Sequence, residues 1–216
     1  MNLPNSITLT RIASVPLLIW ALSPKFPTHG FPAEQEIFAS AIFILASITD
    51  GVDGYLARRR GQITTLGILL DPLADKLMVA AAFILLVQYN PRVMHPWIAV
   101  LVIGREFLVS GLRSIAVSEG FTIEASELGK LKTVTQIVAV VAAILDHRWD
   151  AWRIGWFELP VHIIAVEAIY FMVAVSIISA VDYFLGFWKK IDHASATRRN
   201  RTSFVLSRRK NISPAK

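Results

Sequence analysis

The sequence predicts an all-α membrane protein with six transmembrane helices in one bundle, and three observations lead there. Hydrophobic residues make up 54% of the 216-residue chain and charged residues only 18%, whereas soluble domains run near about 45–50% and about 25%. Mean hydropathy is +0.52. Six windows approach the roughly 20 apolar residues that a helix needs to cross a bilayer, separated by polar or Pro/Gly-rich breaks. Disorder, collagen and coiled coil are excluded as the main architecture.

In chain order the windows are residues 7–22, 36–56, 66–88, 97–117, 131–145 and 161–188. The first lacks a basic leader and a small-residue cleavage site, so it reads as a retained helix rather than a removable signal. Prolines 24, 27 and 32 break the chain before the second window, and Pro91 and Pro96 before the fourth. These breaks are short loops, so residues 1–188 read as one membrane domain. The loop 146–160 holds Trp149, Trp152 and Trp156, which suits an aromatic belt at a membrane surface. The tail 189–216 is rich in Arg, Lys and Ser and is expected to be disordered, lying against anionic headgroups.

The net charge of +6 fits a nucleic-acid partner or an anionic membrane surface, and its distribution favours the membrane. Arg58, Arg59, Arg60, Lys130, Lys132 and the basic tail fall on one side of a six-helix model, against Lys25, Arg92, Arg148 and Arg153 on the other. The excess marks the cytoplasmic side. Both termini are placed there, and no nucleic-acid partner is expected because no base-reading fold accompanies the charge. The absence of cysteine removes disulfides, zinc–thiolate and iron–sulfur sites and a thiol nucleophile.

Four carboxylates stand where an apolar bundle should have none. Asp50 and Asp53 are spaced i, i+3, and Asp71 and Asp75 i, i+4, so each pair shares one helix face. A charge inside a membrane costs at least about 2.5–3.5 kcal/mol, so the cluster needs a cation or a wet cavity. Hard oxygen ligands select Mg2+ or Mn2+, and one or two such ions would also hold a diphosphate. Helix-end aspartates in solvated loops, or salt bridges to Arg58–Arg60, are the plainer alternative for Asp50 or Asp53 taken alone. Small Gly54 and Ala57, on the face of Asp50 and Asp53, leave space beside a metal, although glycines in membrane helices also serve close packing.

Asp50, Asp53, Gly54, Ala57, Arg58, Gly67, Asp71 and Asp75 together read DxxDGxxAR, eight residues, then GxxxDxxxD. This resembles the signature of the CDP-alcohol phosphatidyltransferases, membrane enzymes that displace CMP from a CDP-linked lipid or alcohol. The resemblance implies that Asp50, Asp53, Asp71 and Asp75 bind two metal ions, with Asp75 also the general base. It implies that Gly54, Ala57, Arg58 and Gly67 meet the CDP moiety, with Thr64 nearby. Asn5 and Thr8, in the run Pro4–Asn5–Ser6–Ile7–Thr8, resemble the segment closing over the nucleotide, but serve equally well as a helix cap. A homodimer in a bacterial inner membrane, with its active site facing the cytoplasm, is also implied.

The acceptor is read from a second set. Arg105, Arg113, Lys130 and Lys132 put four cations beside the expected metal–diphosphate site, which suits an acceptor bearing its own phosphate; loop charge is the alternative, weakest for Arg105. The runs GREFLVSGLRSIA (104–116) and GKLKTVTQ (129–136), with the opening NLPNSITLTRI, resemble the phosphatidylglycerophosphate synthase branch. That implies CDP-diacylglycerol and glycerol 3-phosphate as substrates. Inositol phosphate or phosphatidylglycerol is the alternative acceptor, and a divalent-cation transporter the alternative from another class.

Overall fold

Apolar runs of this length satisfy their backbone groups most simply as helices, and six helices form. The computed structural model describes the backbone of residues 3–28, 33–60, 65–122, 127–154 and 157–210. The helices are α1 (Leu3–Ala21), α2 (Glu34–Arg60), α3 (Thr65–Tyr89), α4 (Pro96–Ser118), α5 (Glu127–Asp146) and α6 (Val161–Lys210). Helix α1 packs on α2 and α3, α5 lies along α6 and touches α2 and α3, and α4 bridges α3 and α6. Their shared core is a continuous cluster in which Leu18, Phe43, Phe83, Ile98, Ile144 and Ile169 are essentially inaccessible.

The outer surface is apolar as well. Val100, Leu45 and Ile84 are 72%, 64% and 61% exposed, a pattern that in a water-soluble monomer would be an adhesive patch. Among the described residues, one stretch is long and apolar enough on its own to cross a membrane, Val161–Ile191 in α6, with a hydropathy of 2.3.

Local chemistry sets several boundaries. His95 is extended (φ −77°, ψ 147°), as a residue before proline must be, and Pro96 opens α4 where its missing N–H costs nothing. Helix α4 closes in a Schellman motif. Gly120 takes φ +81°, its N–H donates to the Val117 carbonyl at 3.0 Å, and the Phe121 N–H donates to the Ala116 carbonyl at 3.0 Å. Phe121 then stacks near Phe187 of α6, ring centroids 5.9 Å apart, so the turn also docks α4 on its neighbour. At the far end of the bundle, buried Asn90 donates to Asp146 Oδ2 at 2.8 Å and to the Ala143 carbonyl at 2.9 Å, tying the α3–α4 turn to α5. Beside it the Tyr89 hydroxyl donates to Glu36 Oε1 at 3.0 Å. Burial first, then the Glu36 charge, push the Tyr89 phenol up, so it stays a donor.

Three expectations change. The chain is not purely α: the loop 146–160 contains an antiparallel hairpin of β1 (Trp152–Ile154) and β2 (Phe157–Leu159), with Arg153 opposite Glu158. Trp152, Ile154, Phe157 and Leu159 are strand formers alternating with polar residues around Gly155, a pattern that a search for long apolar windows passes over. The tail expected to be disordered from Lys189 continues α6 as helix to Lys210. After Gly186 no Gly or Pro interrupts the run before Pro214, and Arg, Lys, Ala and Leu are good helix formers. Helix α1 already starts at Leu3, so Asn5 and Thr8 lie within its first turns and not at the cap position.

Gly120→Ala should lower stability by about 1 kcal/mol. A Cβ there meets nothing within 4 Å, so the cost is the left-handed backbone alone, read as a lower melting temperature of the purified protein in detergent.

Candidate functional site

Unbroken helix carries the acidic signature. Asp50, Asp53, Gly54, Ala57 and Arg58 lie in the last three turns of α2, and Gly67, Asp71 and Asp75 in the first three of α3. Positions 50, 53, 54 and 57 share one helical face, as do 67, 71 and 75. Both stretches belong to the same end of the bundle, because α2 ends and α3 begins across residues 61–64, and both helices pack against α1 and α5. The side chains of these eight residues and of Asn5 and Thr8 lie outside the described residues, as does Thr64 altogether.

The basic set is only partly brought together. Arg105 sits in the middle of α4, largely buried. Its Nη1 donates to Glu106 Oε1 at 3.2 Å and its Nη2 to Ser179 Oγ on α6 at 2.8 Å. Lys132 of α5 reaches the same Glu106 oxygen in a close ion pair, also largely buried. Glu106 therefore links α4 and α5 by taking a cation from each. Arg113, about two turns further along α4, is near enough to Arg105 for their charges to act on each other, and its guanidinium lies 5.8 Å from the centroid of the Tyr183 ring, a cation–π contact. It and Lys130 are both exposed.

Sequence reasoning missed the polar side of α6. Ser176, Ser179 and Tyr183 recur at helical spacing inside the most apolar helix, and Ser179 holds Arg105. Four buried atoms along this α4–α5–α6 seam have no partner among the described residues: Arg105 Nε, Gln136 Nε2, Ser176 Oγ and Tyr183 Oη. Buried polar groups left without partners cost free energy unless water or a ligand serves them. The signal was present as three polar residues on one face of an apolar run, but serine in a membrane helix reads first as a packing residue. Arg11 was missed as well. It is 3% exposed and lines a mostly apolar cleft of about 170 Å³ between α1 and α2, with Ser14, Ile42, Ala46 and Thr49. Thr49 immediately precedes Asp50, so the cleft runs up to the acidic segment.

Comparison with known proteins meets this arrangement directly. Residues 1–185 match the family model described as CDP-alcohol phosphatidyltransferase. The chain belongs to that family. Among its CDP-alcohol phosphatidyltransferase relatives, the Bacillus subtilis CDP-diacylglycerol–glycerol-3-phosphate 3-phosphatidyltransferase is 38% identical over 196 residues, covering 88% of this chain and 97% of the relative. A probable phosphatidylglycerophosphate synthase of Mycobacterium tuberculosis is 36% identical over 182 residues, 84% of this chain and 79% of that one. The crystal structure of Mycobacterium tuberculosis phosphatidylinositol phosphate synthase with manganese and citrate superposes with a TM-score of 0.59. It covers 86% of this chain and 82% of that one at 17% identity, a likeness that shows the shared fold alone.

Glu106 is the hinge of the cationic seam, so Glu106→Gln should release both Arg105 and Lys132 from their common anchor. A charge-assisted contact is worth about 1.5–3 kcal/mol. The expected result is a rise of roughly tenfold or more in the KM of a phosphate-bearing acceptor, with the KM of the CDP-linked donor unchanged, in steady-state assays at matched protein level.

Proposed function

We propose that this protein transfers the phosphatidyl group of CDP-diacylglycerol to glycerol 3-phosphate, releasing CMP and phosphatidylglycerol phosphate. The observation that carries the choice of acceptor is the pair of largely buried cations, Arg105 and Lys132, gathered at Glu106 inside the bundle. A neutral acceptor gives such charges nothing to bind; a phosphate monoester does. Relatives at 34% to 38% identity over most of their length carry the name of this reaction, which supports the same reading.

The four aspartates fit divalent metal, because an all-oxygen donor set of like charges is stable only around hard cations such as Mg2+ or Mn2+. Asp50, Asp53, Asp71 and Asp75 would hold the ions, two in the reading adopted here. Bound metal supplies neutralisation of the charge that develops on the diphosphate as CMP departs. The protein's own residues do the rest. Asp75 accepts the proton of the acceptor hydroxyl, and Gly54, Ala57 and Gly67, lacking bulk, let the nucleotide approach the helix backbone. Arg58, with Asn5, Thr8 and Thr64, contacts the CDP group, while Arg105, Arg113, Lys130 and Lys132 hold the acceptor phosphate. The cleft beside Arg11 offers an acyl chain an apolar path to Asp50.

The six helices span a bacterial inner membrane, with the aspartates and both termini on the cytoplasmic side, where soluble glycerol 3-phosphate is available. Supporting this are the apolar outer surface of the bundle and the lysine and arginine excess at that end. The working unit is a homodimer.

Purified protein given CDP-diacylglycerol, Mg2+ or Mn2+ and one acceptor at a time should release CMP with glycerol 3-phosphate. Release only with inositol phosphate or phosphatidylglycerol would overturn the acceptor assignment, and metal flux into proteoliposomes without CMP formation would overturn the enzyme reading. EDTA should silence turnover and added Mg2+ or Mn2+ restore it. Asp75→Asn should abolish turnover, since an amide neither takes the proton nor ligates well; wild-type rates in that variant would remove Asp75 from the base role. Neutral replacement of Arg113 or Lys130 should raise the acceptor KM roughly ten- to a hundredfold, and an unchanged KM would return both to loop charge.

A further inference from the structure

Asp146 closes α5, Asp150 follows in the next loop, and His162 stands in the first turn of α6. One ligand atom from each lies within 4.8 Å of the other two. Asn90, at the C-terminal end of α3, binds Asp146, so this trio is at the end of the bundle remote from Asp71 and Asp75. The 15 residues from Asp75 to Asn90 correspond to roughly 22 Å of helix.

The trio is built around a buried and oriented carboxylate. Asp146 is 3% exposed and Asn90 2% exposed. Asn90 occupies Asp146 Oδ2 and anchors itself on the Ala143 carbonyl, which leaves Oδ1 facing His162 Nδ1 at 2.8 Å. The His162 N–H donates to the Asp150 carbonyl at 3.1 Å, keeping the third residue beside the pair. A side-chain amide that fixes a ligating carboxylate is the usual outer support of a metal centre. Among the described residues, two contacts compete with a metal here: His162 Nδ1 with Asp146 Oδ1, which a bound ion would replace, and Arg92 Nη1 to Asp150 Oδ1 at 3.4 Å, which is exposed.

Asp146 lies at the C-terminal end of α5, where the helix dipole rewards a cation beside it. One imidazole nitrogen with two carboxylate oxygens suits a transition-metal dication such as Zn2+ and not Mg2+ or Ca2+. We propose that Asp146, Asp150 and His162 form a second divalent-metal site of zinc type. It is structural, clamping the end of α5, the loop before β1 and the start of α6, and is separate from the acidic segment of α2 and α3.

The test uses full-length protein in detergent, stripped with EDTA and dialysed against Zn2+ in the presence of saturating Mg2+, with bound zinc counted by atomic emission. Wild type should bind one equivalent more than His162→Gln and one more than Asp150→Asn, and zinc should raise the melting temperature of wild type alone. Asp150 is exposed, so its variant keeps the comparison valid if loss of His162 perturbs folding. Equal zinc complements in wild type and Asp150→Asn would overturn the proposal.

Discussion

A charge inside an apolar bundle has to be matched within the bundle, and this requirement governs where the helices meet. Arg105 cannot reach water from the middle of α4, so it is held by Glu106 beside it and by Ser179 of α6. Glu106 in turn takes Lys132 from α5. Three helices are thus joined by one carboxylate and one hydroxyl within otherwise apolar packing. Apolar packing alone is non-directional and would leave α4, α5 and α6 free to slide past one another. The polar seam sets their register.

The same requirement separates the two ends of the molecule. At the end marked by Asn90, the buried Asp146 carboxylate has both oxygens engaged, by Asn90 and by His162, and the helices are fixed by short hydrogen bonds. Along the seam that leads to the opposite end, several buried polar atoms have no partner among the described residues. A fully satisfied network rigidifies; a partly satisfied one is costly until something fills it. The arrangement is what an enzyme needs if one end is to hold the helices while the other receives a charged, hydroxylated ligand.

Helix positions were largely legible because each depends on residues adjacent in sequence. Each of the six apolar windows falls on one of the six helices, the first running one residue past α1, and Pro96, read as a break, proves to be the N1 proline of α4. The hairpin was not, since three-residue strands carry too few positions for alternation to stand out beside long apolar runs. The helical continuation to Lys210 was missed because high charge was weighted above helix propensity. Partnerships were the least legible. Glu106 lies beside Arg105 in sequence, but its bond to Lys132 joins residues 26 positions apart and depends on how α4 and α5 meet. Ser179 and Tyr183 carried no chemistry until α6 was laid against α4.

That distinction bears on how a shared signature produces different acceptors. The aspartates and glycines of α2 and α3 need only regular helix to share a face, so any chain with that spacing presents the same donor machinery. In the proposed assignment the acceptor side is assembled from α4, α5 and α6 and depends on tertiary pairing, because Glu106 of α4 takes both Arg105 beside it and Lys132 of α5. Without Glu106 the two cations would lose the carboxylate they share, and the contact that joins α4 to α5 would go with it. The residue that ties these helices together is thus also the one that sets where the two cations stand for an anionic ligand.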